Sequence, residues 1–268
     1  MISRQVVYDL HTHIFPGKLA GKAVENIGGY YGIAMAGKGT AEDLEESLKL
    51  LPNLKFVISS AALKAESMVA TNDFLLEAAA EKPYFIPFSS FYPFLPVAEA
   101  EKELIRVKAK GTRGIKLHPD FQRFDIDDPH VCEIYKICSQ LDLPILFHLG
   151  DEHTDFSTPV RLYNVANRIP DLTIIAAHLG GYTVWEEAEK VLIGTKVFTE
   201  TSDALLWLSG EKIVELCRKH GIDKVMFGSD YPLGHSADVF RQFDKLPFTP
   251  EEKEKIYHKN AERLFAIT

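Results

Sequence analysis

Cysteine is scarce: Cys132, Cys138 and Cys217 are odd in number and form no CxxC pair, so neither a disulfide framework nor a thiolate metal site is available. They read as reduced thiols in helical stretches of a cytoplasmic protein. Long apolar runs are missing as well. Nothing approaches the roughly eighteen residues of a membrane span, and Met1-Ile2-Ser3-Arg4 leads straight into a short polar-tipped run. Neither a signal peptide nor an anchor is expected. Basic charge is in deficit, with 30 Lys and Arg against 38 Asp and Glu for a net −8, which argues against a nucleic-acid surface. No glycine-rich phosphate loop follows the first apolar run, which places a doubly wound dinucleotide fold second.

What remains is a chain of 268 residues, 46% hydrophobic and 25% charged, long enough for a large core. Short β-rich runs alternate with longer amphipathic ones: Val6 to His11, Lys55 to Ser60, Tyr84 to Ser90, Arg113 to His118, Pro144 to His148, Leu172 to His178, Lys196 to Thr201 and Lys224 to Asp230. From Ser60 onward their ends are 23 to 30 residues apart, room for a strand, a helix and two loops. Thr40-Ala41-Glu42-Asp43, Thr158-Pro159 and Thr249-Pro250-Glu251-Glu252 open helices, and His220-Gly221 closes one. Val57-Ile58 and Ile174-Ile175-Ala176-Ala177 are apolar throughout, as parallel strands covered on both faces are. Eight such units predict an α/β fold, a single-domain (β/α)8 TIM barrel over 1–268. The glycine- and tyrosine-rich stretch 17–39 is expected as an irregular loop, a lid over the site.

Chemistry in such a barrel sits at the C-terminal strand ends. The first run ends in His11-Thr12-His13, and alternate strand residues share a face, about 7 Å apart along the backbone. Other ends read Lys116-Leu117-His118-Pro119, Phe147-His148-Leu149-Gly150, Ala177-His178-Leu179-Gly180-Gly181 and Gly228-Ser229-Asp230-Tyr231-Pro232. His11, His13, His148 and Asp230 supply three imidazoles and a carboxylate, a set suited to Zn²⁺, Mn²⁺ or Fe²⁺ with a position open to water. Such an ion brings its water's pKa toward neutrality and polarises an oxygen group. Asp230 can both ligate and take that water's proton.

The arrangement resembles the amidohydrolase superfamily. The segments Tyr8 to His13, Ala177 to Gly181, Phe227 to Pro232 and Asn260-Ala261-Glu262-Arg263-Leu264-Phe265 are similar to its amidohydrolase-2 branch, which includes aminocarboxymuconate-semialdehyde and resorcylate decarboxylases and pyrone-dicarboxylate lactonases. The resemblance implies His11, His13, His148 and Asp230 as ligands of one divalent metal, zinc first. It makes Asp230 and His178 catalytic, His178 as an acid/base or as ligand of a second ion. Lys116 stands where binuclear members carry a carboxylated lysine, and mononuclear members of the branch generally lack it. Three readings of it remain open: a carboxylated ligand bridging two ions, a cation for substrate, or a structural partner of an acid such as Glu200.

His118, Arg123 and Arg161 are the remaining substrate-binding candidates, the arginines as clamps for a carboxylate. The expected activity is hydrolysis of an ester, lactone or amide-like bond in a small molecule by activated water. Non-oxidative decarboxylation of a small carboxylic acid is the alternative, and an inactive binding barrel a third reading. No nucleic-acid or membrane partner is expected, and homo-oligomerisation is left open.

Overall fold

In the computed structural model of the protein, which describes residues 5–266, eight parallel strands form one sheet in the order β1 to β8. They are β1 Val7–His13, β2 Leu54–Ser59, β3 Phe85–Ser89, β4 Gly114–Leu117, β5 Ile145–Phe147, β6 Ile174–Ala176, β7 Phe198–Glu200 and β8 Val225–Met226. The backbone N–H groups of Leu10 and His13 donate to Phe227 O at 2.9 Å and Tyr231 O at 2.7 Å, which brings β1 against β8 and nearly closes a TIM barrel. The expected eight units are present. The reading of Met1 to Arg4 lies outside the described residues.

The strands are apolar on both faces because helices cover them outside and side chains fill them inside. Tyr8, Leu10, Val57, Ile86, Phe88, Leu146, Ile175 and Met226 make the interior plug. The last helix, Asn260–Phe265, packs Ala261 and Phe265 against it from one end. Between strands and helices lie two further apolar layers. Among the described residues no helix is long and apolar enough to cross a membrane.

Two local features position the functional end. The β1/β2 register shifts between Asp9 and Thr12. In a regular strand Leu10 and His11 would point to opposite faces; the irregularity lets Leu10 join the plug while His11 also turns to the barrel axis. Asp9, turned outward and buried, then ties the two ends together. Its carboxylate accepts from Ser229 N at 2.9 Å, Ser229 Oγ at 2.6 Å and His11 N at 3.3 Å.

Stretch 17–39 corrects the sequence reading. Gly17–Tyr31 is a helix, α1, stopped by Gly32 at φ 65°, and only the residues after it are irregular. Ala20, Ala23, Val24 and Ile27 recur at helical spacing, so an apolar stripe holds a segment whose glycines disfavour helix.

Candidate metal centre and cavity

The ends of β1, β7 and β8 and the turns after β5 and β6 bring their polar side chains to one point. His11 Nε2 lies 3.1 Å from His13 Nε2 and 3.2 Å from Asp230 Oδ1, and His13 Nε2 lies 3.3 Å from the same oxygen. Those separations are about the edge lengths of a coordination polyhedron with bonds of 2.0–2.2 Å.

The outer nitrogens assign the tautomers. His11 Nδ1 donates to Glu200 Oε1 at 2.9 Å with Ser202 Oγ at 3.1 Å, and His13 Nδ1 faces Ser59 Oγ at 3.1 Å and Ser59 O at 3.4 Å. Both Nε2 atoms are therefore bare. His148 Nε2 donates to Gly150 O at 2.9 Å, and His178 Nδ1 faces Ser202 Oγ at 2.8 Å and Asp203 Oδ2 at 3.2 Å. That leaves His148 Nδ1 and His178 Nε2 bare as well, 3.0 Å apart. Lone pairs facing each other at such distances repel unless a proton or a cation lies among them, so the donor set fits a divalent metal.

The four expected ligands do not form one cluster. His11, His13 and Asp230 do; His178 groups with Asp203 and Asp230, and His148 reaches this floor through His178. His148 also lies near His118 and Asp120. The His118 and His148 rings, however, are stacked 3.9 Å apart at 9°, so their in-plane lone pairs run nearly parallel and cannot converge on an ion. That trio is a wall of the cavity.

Charge follows the same plan. Burial lowers His13 to about 4 and drives His118, His148 and His178 well below the usual imidazole range, so these rings are neutral and free to ligate. Burial alone would raise the Asp230 carboxyl, but the surrounding imidazoles, His11 first, hold it well below its ordinary value. Asp203 moves the other way, through burial and then the charge of Asp230. Lys116 is fully buried, which lowers its ammonium to about 8, and its Nζ donates to His11 Nε2 at 2.7 Å.

Above this floor opens a cavity of about 520 Å³. His13, His118, Asp120, His148, Asp203 and Asp230 line it together with the aromatic side chains of Phe15, Tyr30, Tyr31, Phe121, Phe156 and Tyr182. Ala23, Asn26, Ile27, Tyr30 and Tyr31 place α1 along one wall. Tyr31 OH lies 3.2 Å from His118 Nε2 and 3.3 Å from His148 Nε2, and Tyr30 OH donates to Asp151 Oδ1 at 3.0 Å.

Arg123 also lines the cavity. Arg161, also read as a candidate substrate clamp, is not among the lining residues. Its guanidinium lies 2.8 Å from Asp127, 3.1 Å from Asp125 and 3.7 Å from Asp155, so its charge is already matched. The sequence reading missed Asp203, although Glu200-Thr201-Ser202-Asp203 is a polar run at a strand end. Asp120, beside the noted His118, was missed too.

A family model described as amidohydrolase matches residues 8–267. Among solved structures, 2,6-dihydroxybenzoate decarboxylase from Rhizobium is 20% identical with TM-score 0.72, covering 98% of this chain and 99% of that one. A 5-carboxyvanillate decarboxylase from Novosphingobium aromaticivorans, complexed with manganese and 4-hydroxy-3-methoxy-5-nitrobenzoic acid, is 17% identical with TM-score 0.71, covering 98% and 96%. A probable 2-pyrone-4,6-dicarboxylic acid hydrolase from Acinetobacter baumannii with bound citric acid is 15% identical with TM-score 0.71, covering 97% and 99%. At these identities the likeness establishes the fold.

Proposed function

The chain belongs to the amidohydrolase family of enzymes, and on that premise we propose that it is a metal-dependent, non-oxidative decarboxylase of a small aromatic carboxylic acid. The observation that carries this reading is the cavity. Tyr30, Tyr31, Phe121 and Tyr182 wall a space of about 520 Å³, suited to one substituted ring, directly above His13 and Asp230. The decarboxylases described above act, by name, on substituted benzoates, which supports the same choice.

His11, His13 and Asp230 would hold the ion, with His148 and His178 beside them. When bound, a divalent cation supplies Lewis-acid stabilisation of negative charge on substrate oxygens. Zinc and manganese both suit imidazoles and a carboxylate, and manganese has the support of a structural neighbour. One ion is favoured by charge. Glu200 and Asp230, both held below their ordinary values, set two negative charges against the single ammonium of Lys116 at this floor, a balance of −1 that one divalent ion more than meets, while the Asp203 carboxyl is raised well above its ordinary value. Lys116 is then a buried cation beside the site rather than a carboxylated bridge, and its Nζ, 2.7 Å from His11 Nε2, gives up that contact when His11 ligates the ion.

The residues divide the remaining work. Arg123 meets the substrate carboxylate at the cavity wall, and the aromatic walls keep water from the reacting carbon. Loss of carbon dioxide leaves the bonding pair on the ring carbon, which then takes a proton. That proton comes from water, and His178 and Asp230, unprotonated at rest at the floor, are the groups placed to relay it.

Hydrolysis is the second reading, favoured by the same carboxylate and imidazole acting on water and by the named hydrolase among the similar structures. One assay separates them: metal-loaded protein offered hydroxybenzoates beside lactones and amides. Carbon dioxide release without hydrolysis is the expected result, and hydrolysis of a lactone or amide with no carbon dioxide would overturn the decarboxylase reading.

A further inference from the structure

Asp203 is the anomaly of the cavity. It follows β7 with φ 61°, a left-handed conformation that aspartate adopts more readily than most side chains, and its side chain is 5% exposed. The conformation is locked locally. Ser202 donates to Glu200 from both its backbone N, at 2.7 Å, and its Oγ, at 2.8 Å, while Asp203 O accepts from Leu206 N at 2.9 Å. The backbone that carries the carboxyl is therefore held where it is. One oxygen, Oδ2, lies 3.2 Å from His178 Nδ1; the other, Oδ1, is buried without a hydrogen-bond partner, although the residue lines the cavity.

Such a group needs a physical explanation, because buried polar atoms are nearly always paired. Asp120 Oδ2 is also unpaired, but the likewise unpaired Ser157 hydroxyl lowers its pKa as a hydrogen-bonding neighbour, so a small adjustment satisfies both. Asp203 has no comparable donor. The charged groups acting on it besides Lys116 are the carboxylates of Asp230 and Glu200.

We propose that Asp203 is the specificity-determining residue of the cavity, pairing through Oδ1 with a hydroxyl group on the substrate. A hydroxyl suits this place better than an amine or a second carboxylate. It is small and uncharged, and it both donates and accepts, so it pairs with the carboxyl in either protonation state. The inference deepens the decarboxylase reading, since it names a substituent the acid must carry.

The test is equilibrium binding of benzoate and its three monohydroxy isomers to manganese-loaded protein, followed by calorimetry. At least one isomer should bind about tenfold tighter than benzoate, the advantage of a hydrogen bond to a buried charged group. In Asp203→Ala that advantage should vanish while benzoate affinity stays within about twofold. Asp203→Asn, close in shape, should keep part of it and covers the case in which the alanine variant does not fold. The proposal falls if no isomer outbinds benzoate, if no ligand binds measurably, or if the advantage survives in both variants. It also falls if both variants lose benzoate and hydroxybenzoate affinity equally. Asp203-dependent binding without carbon dioxide release would sink the decarboxylase reading and leave this one standing.

Discussion

Glu200 grips His11 from behind: Oε1 accepts from Nδ1 at 2.9 Å across 189 residues of chain, with both side chains out of solvent. The same oxygen accepts from His178 N at 3.1 Å and Ser202 Oγ at 2.8 Å, and Oε2 accepts from Ser202 N at 2.7 Å. One carboxylate thus fixes the tautomer of His11 and the backbone entry of His178. Ligand imidazoles oriented in this way bind metal more tightly.

Replacing that carboxylate tests the arrangement. Glu200→Gln must turn an amide NH₂ toward a group already donating, so divalent-metal affinity should fall about 10- to 100-fold while the fold persists. Chelator competition monitored beside circular dichroism reads both quantities. Unchanged affinity in a folded variant would remove Glu200 from the account.

Gly228 is required by the same carboxylate. A methyl group there would stand 2.0 Å from Glu200 Oε2 and 3.3 Å from His11 Cβ. Gly228→Ala should therefore cost about 1–3 kcal/mol of stability through overpacking. It should weaken metal binding as Glu200→Gln does, and a melting temperature unaltered with and without manganese would refute the close fit.

α1 is attached to the cavity rim by its tyrosines. Removing the Tyr31 hydroxyl deletes its contacts with His118 and His148, worth about 0.5–1.5 kcal/mol of net hydrogen bonding. In Tyr31→Phe, amide exchange across Gly17–Tyr31 should accelerate about 2- to 10-fold with the barrel strands unchanged. Identical exchange in variant and parent would mean that α1 is held by its apolar stripe alone.

His220 provides a pH dependence away from the metal centre. Nε2 donates to Val197 O at 2.7 Å, Nδ1 accepts from Gly194 N at 3.3 Å, and burial lowers the ring to about 4. The unfolded chain takes up this proton near pH 6.5, so between those values it binds more protons than the folded one. The contribution is fully present above about pH 6.5 and is lost as pH falls toward 4, roughly 3 kcal/mol at most. Urea unfolding of His220→Gln should show a lower plateau at pH 7 and a shallower decline over that window. Parallel profiles would contradict the assignment.

How much of this was legible follows from where the information lies. The strand ends were readable because a barrel puts apolar residues along each strand and polar ones at its tip, so His118, His148, His178 and Asp230 each close an apolar run. The irregularity between Asp9 and Thr12 was not readable, since it depends on pairing with β2. α1 had its signal in Ala20, Ala23, Val24 and Ile27, overshadowed by Gly17, Gly21, Gly28 and Gly29. Arg161 is equally placed in sequence for a substrate or for Asp125 and Asp127, and only the tertiary structure chooses. Asp203 drew no reading because its orphaned oxygen is a property of its surroundings.

The central claim is that His11, His13 and Asp230 share one divalent cation. Equilibrium dialysis against manganese, with metal content measured on folded protein, tests it most directly. The parent should retain about one equivalent, and His13→Ala and Asp230→Asn less than about a tenth under the same conditions. A parent that retains none, or variants that retain as much as the parent, would contradict it.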